Sequence, residues 1–487
     1  VTFTTWLSDH NARRCILVEA VAQIAGIETT LYLSSKGYVT GNADTPPNTV
    51  YEPAISGGVN VTESLSLTTG RAGLTYGDIE LYNVAGERDN WLDYIWTNRA
   101  IKVYLGDLSW QRSDYQIIFD GIIDNIDSRA RDRLNIKIRD KLERLNTPLS
   151  DVKLGGTTPN KESLIPLTFG EVSNIAPLLS NPATHEYQVH NVAIELIIEV
   201  RDNGVPVFIT PSLSVGKFFL LASPAGTITA SIQGDKPSIY ENTISKLIQR
   251  IVTGFGKAST RFTSGDLDAS NLATFDTAHA QPVGVFVDAR ENVINVIQDL
   301  AASVGAQVCM SRAGLLRLLE IKLPPDGIPW VITSSDMVAA SLHIVDRITV
   351  KSSVKIGYCR NWYQQPDLQT GIVEESKKLL AEDYMTVTST DIAVAATYKL
   401  DSEPDQRNTL LISTIDAQAE ADRELNIYKV PRVVFGFEGF PNLLELELGQ
   451  AVTLQHSRFG LSAGKTGVVT KLSPDWSNFR VKVEVLI

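Results

Sequence analysis

The sequence is short of the residues that most metal sites and many reactions need. Its 487 residues include three cysteines and six histidines. Cys15, Cys309 and Cys359 are odd in number, far apart and in no C-x-x-C arrangement, so they support neither a disulfide framework nor a zinc site. Each reads as a small buried hydrophobe. His185 and His190, the one close pair of histidines, stand five apart in a proline-rich loop, a poor spacing for a shared metal. There is no Walker loop, no H-E-x-x-H and no dinucleotide-binding glycine fingerprint, and no cofactor is expected. Basic charge is also in deficit, with 44 Lys and Arg against 56 Asp and Glu and a net charge of −12. Gripping nucleic acid by neutralising phosphates needs the opposite balance. No apolar run approaches the ~20 residues that span a bilayer. VTFTTWLSDHNARR lacks the basic start and apolar centre of a signal peptide. Synthesis in the cytoplasm without stable membrane insertion is the expectation.

What the sequence has is strand. CILVEAVA, ETTLYLSS, NVTESLSLTTG and GDIELYNV, all in the first 150 residues, are each bounded by Gly, Asn or Asp. In GERDNWLDYIWTNRAIKVYLGD, the spacing of Trp91, Tyr94 and Ile95 predicts a short helix before Ile101, Val103 and Leu105 resume alternation. Trp91 and Trp96 are expected as core anchors. Further on, Asn203-Gly204 lies between two β-rich runs and marks a hairpin. YENTISKLIQRIVTG predicts a helix with Leu247, Ile248 and Ile251 on one face. DARENVINVIQDLAASVGA predicts a helix stopped by Gly305 and packed on a hairpin around Ala313-Gly314. TIDAQAEADRELNIYK predicts another, with Asp416 near its start and Lys429 near its end, as the helix dipole favours.

The fold class that follows is mainly β with α+β parts, in several domains. The expected divisions are a β-barrel domain at 1–150, a β-rich middle domain or insertion at 151–280, an α+β domain at 281–400, and a helix plus a second barrel at 401–487. The duplication rests on two stretches. IFDGIIDNIDSRARDRLNIKIRD and GKTGVVTKLSPDWSNFRVKVEVLI each set a glycine, Gly121 or Gly467, inside an apolar run, then a polar turn, then strict alternation. That alternation reads Leu134, Ile136, Ile138 in one and Phe479, Val481, Val483, Val485 in the other. AIKVYL and QAVTL precede the two glycines. Two copies of a small antiparallel barrel explain the pattern, with each glycine letting its strand bend or bulge.

Candidate chemistry has plainer accounts. GLSAG, with His456 six residues before its Ser462, matches a nucleophile elbow, but KTGVVTKL after it reads as strand where a helix is required, so a hairpin loop is expected. Asp266, Asp268 and Ser270 in GDLDAS lack the glycine and distal Glu of a calcium loop. Asp120, Asp124 and Asp127 invite comparison with paired glycosidase carboxylates, yet Asp120 and Asp124 share a strand face and read as exposed polar positions. Trp6, Trp110, Trp330, Trp362 and Trp476 have no assigned partners, which leaves a saccharide-gripping surface open.

The order of parts resembles a bacteriophage tail hub protein of the baseplate or tail tip. It runs DRLNIKIRDKLERLNTPL, then PLTFGEVSNIAPLL, then ENVINVIQDLAASVGAQVCMSRAGLLRLLEI, then a helix followed by LLELELGQAVTL and KTGVVTKLSPDWSNFRVKVEV. The resemblance implies a structural virion protein at the distal end of the tail, and the absence of a catalytic constellation favours that reading over an enzyme. It implies a homotrimer whose paired barrels match a sixfold tail to a threefold tip. A distal tail protein or tube ring would lie above it and a tip or fibre protein below. DNA would pass through the enclosed channel at genome ejection without specific binding. The alternative is a tail protein that binds or degrades envelope carbohydrate.

Overall fold

The computed structural model describes residues 3–67, 73–365, 368, 372–400 and 403–487. The chain is mainly β with helical parts and folds into two compact units. The first comprises Val1–Arg144, Val308–Ile348 and Arg432–Ile487; the second comprises Leu145–Gln307 and Thr349–Pro431. The chain thus leaves and re-enters each unit. The helix Thr414–Tyr428 belongs to the second unit and the strands after Pro431 to the first.

The first unit is built on a 13-stranded sheet. Within it one arrangement of strands occurs twice. In the first copy an entry strand (Ala100–Asp107) pairs a glycine strand (Gln116–Ala130), which pairs a return strand (Arg133–Arg139), then an outer strand (Tyr76–Tyr82), then an edge strand (Ile55–Ser64). In the second copy the same order is Ala451–Gln455, Lys465–Asp475, Arg480–Leu486, Arg432–Gly439 and His343–Ile348. All these pairings are antiparallel. The return strands show why alternation specifies them: Leu134, Ile136, Ile138 and Val481, Val483, Val485 are buried on one face, while Lys137, Lys482 and Glu484 turn to the other, on which Asn135 is buried as well. Phe479 is not part of that alternation. It lies in the turn with φ 53°, so Leu134 matches Val481.

The two copies share one hydrophobic core, which takes Ile79, Ile101, Ile123 and Ile136 from the first and Phe437, Val452, Val469 and Val483 from the second. They also share one ladder, because the second glycine strand pairs the first edge strand (Lys471 with Ser64, Leu472 with Glu63, Asp475 with Asn60). Trp91 and Trp96 belong to this core, with ring centroids 5.7 Å apart and Trp96 Nε1 donating to the Trp91 carbonyl at 2.7 Å. The helix expected around Trp91 is a single 3₁₀ turn, Asp89–Asp93. It has its counterpart in Pro441–Glu445, at the same place before the second entry strand.

The second unit has a five-stranded sheet and a four-stranded sheet, together with helices. Ile194–Asp202 turns through Asn203 (φ 47°) and Gly204 (φ 84°) into Val205–Pro206, the left-handed pair that an Asn-Gly hairpin turn requires. The helix Ile244–Gly254 buries Leu247, Ile248 and Ile251. Ser413 caps Thr414–Tyr428 by accepting from the Asp416 amide at 3.1 Å, and Lys429 closes its other end. The helix Val293–Ala302 also lies here, whereas most of the hairpin that follows it, Ala306–Met310 with Leu316–Glu320, belongs to the first unit.

Candidate functional site: the duplicated sheet and its joint

Gly121 pairs Ile101 of the entry strand, and Gly467 pairs Val452. A Cβ on Gly121 would stand 2.3 Å from the Arg139 carbonyl oxygen, and one on Gly467 2.2 Å from that of Leu486. Close approach of the return strand therefore requires glycine at both places. The bulge lies further along. Register shifts between Ile123 and Asn125 in one copy, and between Val469 and Lys471 in the other, so Asp124 and Thr470 are the extra residues. Buried residues on either side are consequently three apart, Ile123 with Ile126 and Val469 with Leu472. Even the hydrogen bonds that enter each module agree: the Asn98 amide reaches the Ile123 carbonyl at 2.8 Å, and the Gly449 amide reaches that of Val469 at 2.9 Å. Asn98 (φ 62°) and Gly449 (φ 76°) are both left-handed there.

The joint between the copies carries a buried ion pair. Glu63, on the first edge strand, is 8% exposed. Arg312, at the turn of the hairpin Ala306–Glu320, donates to Glu63 Oε1 at 3.3 Å and to the carbonyls of Leu444 and Leu446 at 2.5 and 2.7 Å. Its guanidinium lies 5.5 Å from the centre of the Trp476 ring. Burial pushes the Glu63 carboxyl above its ordinary pKa, and Arg312 opposes that rise. Further bonds tie the strands: the Val59 amide to Ser477 Oγ at 3.1 Å, the Trp476 amide to the Val59 carbonyl at 3.1 Å, and Thr62 Oγ1 to Ser473 Oγ at 3.2 Å. Nothing local in the sequence marks Arg312 or Glu63, because their partners lie 249 residues apart along the chain.

The residues considered for catalysis or metal binding are engaged elsewhere. Ser462 is exposed in the loop between entry and glycine strands, and His456 Nδ1 accepts from the Arg458 amide at 3.1 Å. Asp266 completes a capping box with Thr263, and Asp268 caps the helix Ala269–Ala278. Asp120 is buried, against the expectation of an exposed position, with Lys141 at 3.2 Å. Asp124 pairs Arg139 and Asp127 pairs Lys137, at 3.2 and 2.6 Å. His190 is fully buried, accepting at Nδ1 from the Thr168 amide at 3.0 Å and meeting Asp235 through Nε2 at 3.1 Å. His185 lies in a turn with φ 49°. Among the described residues no group of three or more His, Cys, Asp or Glu side chains is placed to hold a metal. The cysteines are unpaired, and burial raises all three thiols.

The five unassigned tryptophans are engaged in packing within their own units. Trp6 and Trp476 are buried; Trp6 stacks on Phe3, contacts Trp110 and donates to Asp107 at 3.1 Å. Trp330 packs on the first unit's core. Trp362 packs in the second unit, edge-on to Phe286 and under Arg360. No helix among the described residues is long and apolar enough to cross a membrane.

No family model and no curated protein matches the chain. Solved structures do. The chain is similar to the tail protein from Neisseria meningitidis MC58, at 8% identity over 97% of this chain and 96% of that one, with a TM-score of 0.41. It is similar to the 43 kDa tail protein of prophage MuSo2 from Shewanella oneidensis, at 10% identity over 97% and 98%, with a TM-score of 0.43. A prophage tail protein from Listeria monocytogenes EGD-e gives 8% identity over 97% and 94%, with a TM-score of 0.43.

Proposed function

We propose that the chain is a structural component of a bacteriophage tail, a homotrimeric hub at the distal end of the virion that joins a sixfold tail to a threefold tip. The observation that carries this reading is the joint between the two copies. Lys471 to Asp475 of the second glycine strand pair the first edge strand. The matching half of the first glycine strand, from Asp124 onward, pairs only its return strand among the described residues. Among the described residues the second edge strand, His343–Ile348, pairs only the outer strand beside it and is exposed over most of its length. One chain thus contains the joint once and both halves of it again, unpaired. Unpaired edges are templates for further strands. A head-to-tail contact between unlike surfaces closes into a ring when its rotation allows, and three chains with two copies each supply six modules.

The reading extends to partners of matching symmetry, a distal tail protein or tube ring above and a tip or fibre protein below. DNA crosses the enclosed channel at ejection without being held, in keeping with the net charge of −12. We read the chain as no enzyme, because the side chains considered for chemistry serve as caps, ion pairs and core. The degrading form of the alternative has no observation behind it.

The test is to burden the open edge. Val345 is 44% exposed on the second edge strand, beside the exposed Arg347. V345D/R347E is expected to fold, to remain monomeric and to fail to enter tail particles. A double variant that still assembles into tails with the wild-type copy number would refute the proposed contact.

A further inference from the structure

The second unit holds a cleft of about 680 Å³ whose lining runs against the charge of the chain. Among the described residues Arg250, Lys257, Arg261 and Arg290 line it, against the one carboxylate of Asp151. Two of the four cations are built into the wall. Arg250 is held by Asp235 at 2.6 and 3.2 Å, and Arg261 donates to the carbonyls of Phe255 and Gly256 at 3.2 and 2.9 Å. The loop between them is pinned in turn, since the Gly256 amide (φ 76°) donates to the Leu149 carbonyl at 2.8 Å. The other two are presented to solvent: Lys257 is exposed, and Arg290 meets Asp151 only at 3.8 Å with both side chains about 70% exposed. A fixed pair of guanidiniums beside two exposed cations, in a chain of net charge −12, is an arrangement for an oxyanion.

The cleft is far larger than a bare oxyanion needs and falls within the ~300–1,000 Å³ of small-molecule sites, so the anion is part of a bulkier ligand. A nucleobase would want an open aromatic face. Phe255, the one aromatic among the described lining residues, is 7% exposed with Arg250 over its ring at 5.0 Å. The remaining polar lining is neutral: Thr147, Ser150 and Asn191. Asn191 Oδ1 is sealed from solvent and accepts no hydrogen bond. Buried acceptors are nearly always paired, and turning this amide toward a ligand hydroxyl satisfies it. We propose that the cleft binds a phosphorylated sugar, either as a free sugar phosphate or as a unit of a phosphodiester-linked glycan. This inference stands apart from the trimer, since every residue it uses belongs to the second unit of a single chain.

The experiment is calorimetric titration of the full chain with four probes: α-glucose 1-phosphate, glycosylated poly(glycerol phosphate), glucose and inorganic phosphate. Binding is expected for at least one of the first two, at least tenfold tighter than for glucose or inorganic phosphate; whichever binds tighter identifies the source. K257E/R290E reverses only the exposed cations. It should weaken binding at least tenfold and leave the thermal midpoint unchanged, and N191A should weaken the sugar phosphate while leaving inorganic phosphate as before. Absence of binding by both phosphorylated probes would overturn the proposal. So would binding that K257E/R290E leaves intact, or inorganic phosphate binding as tightly as either.

Discussion

Gly121 and Gly467 face the same obstacle: a Cβ on either would lie within 2.3 Å of the backbone carbonyl of the adjoining return strand, at Arg139 or at Leu486. They are equivalent residues of a duplicated module, matched by the bulge three residues on and by the hydrogen bonds that enter the strand.

Alanine at either glycine must push backbone from backbone and also meets a side chain, the Phe119 ring at 2.5 Å for Gly121 and Ile487 Cγ1 at 2.6 Å for Gly467. Overpacking of this kind costs about 1–3 kcal/mol. G121A and G467A should each lower the urea midpoint by a corresponding amount. A midpoint unchanged in both would show that the return strands can retreat freely.

Arg312 and Glu63 should be strongly coupled. Removing one partner of a buried pair typically costs about 3–5 kcal/mol, because the other charge is left without compensation. R312M is expected to destabilise the first unit by that order, and E63Q to recover part of the loss when the two are combined. Strictly additive effects in the double-mutant cycle would mean that Arg312 acts through the Leu444 and Leu446 carbonyls alone.

Two buried groups should respond to acid in opposite directions. Burial, only partly offset by the amides of Thr75 and Leu142, pushes the Asp140 carboxyl up to about 6. The folded state then binds this proton more readily than the unfolded one, so Asp140's contribution falls as pH rises from about 4 to about 6. His190 behaves conversely. Burial lowers its pKa despite Asp235, and Nδ1 must stay unprotonated to accept from Thr168. Its contribution is present at neutral pH and is lost as pH falls below the ordinary histidine value of about 6.5. Comparing unfolding free energies from pH 4 to 8 in wild type, D140N and H190Q isolates each slope. Identical profiles in all three would contradict both assignments.

Much of the module was legible because alternation and glycine are local signals. The buried faces at Leu134, Ile136 and Ile138 and at Val481, Val483 and Val485 follow from a period of two. The odd spacing of Ile123 and Ile126, repeated by Val469 and Leu472, is the mark of a bulge and was open to reading. Phe479 was misplaced because the second hairpin turn is the longer one: Asp475 pairs Arg480, where Ala130 pairs Arg133. What could not be read was pairing at long range. That Lys471 joins Ser64, or that Arg312 crosses to Glu63, is settled by burial and by edges seeking partners, and no pattern in a short window records either. The cationic cleft was hidden for the same reason, since Arg250, Lys257 and Arg261 are joined there by Arg290 and Asp151 from distant segments.

Each chain carries one complete joint and the two halves of another. Native mass measurement of the purified chain at micromolar concentration is the test of whether those halves join between chains. A species of three times 53.3 kDa is expected, which V345D/R347E reduces to the monomer. A wild-type chain that stays monomeric at every concentration, or that closes as a dimer, would contradict that expectation.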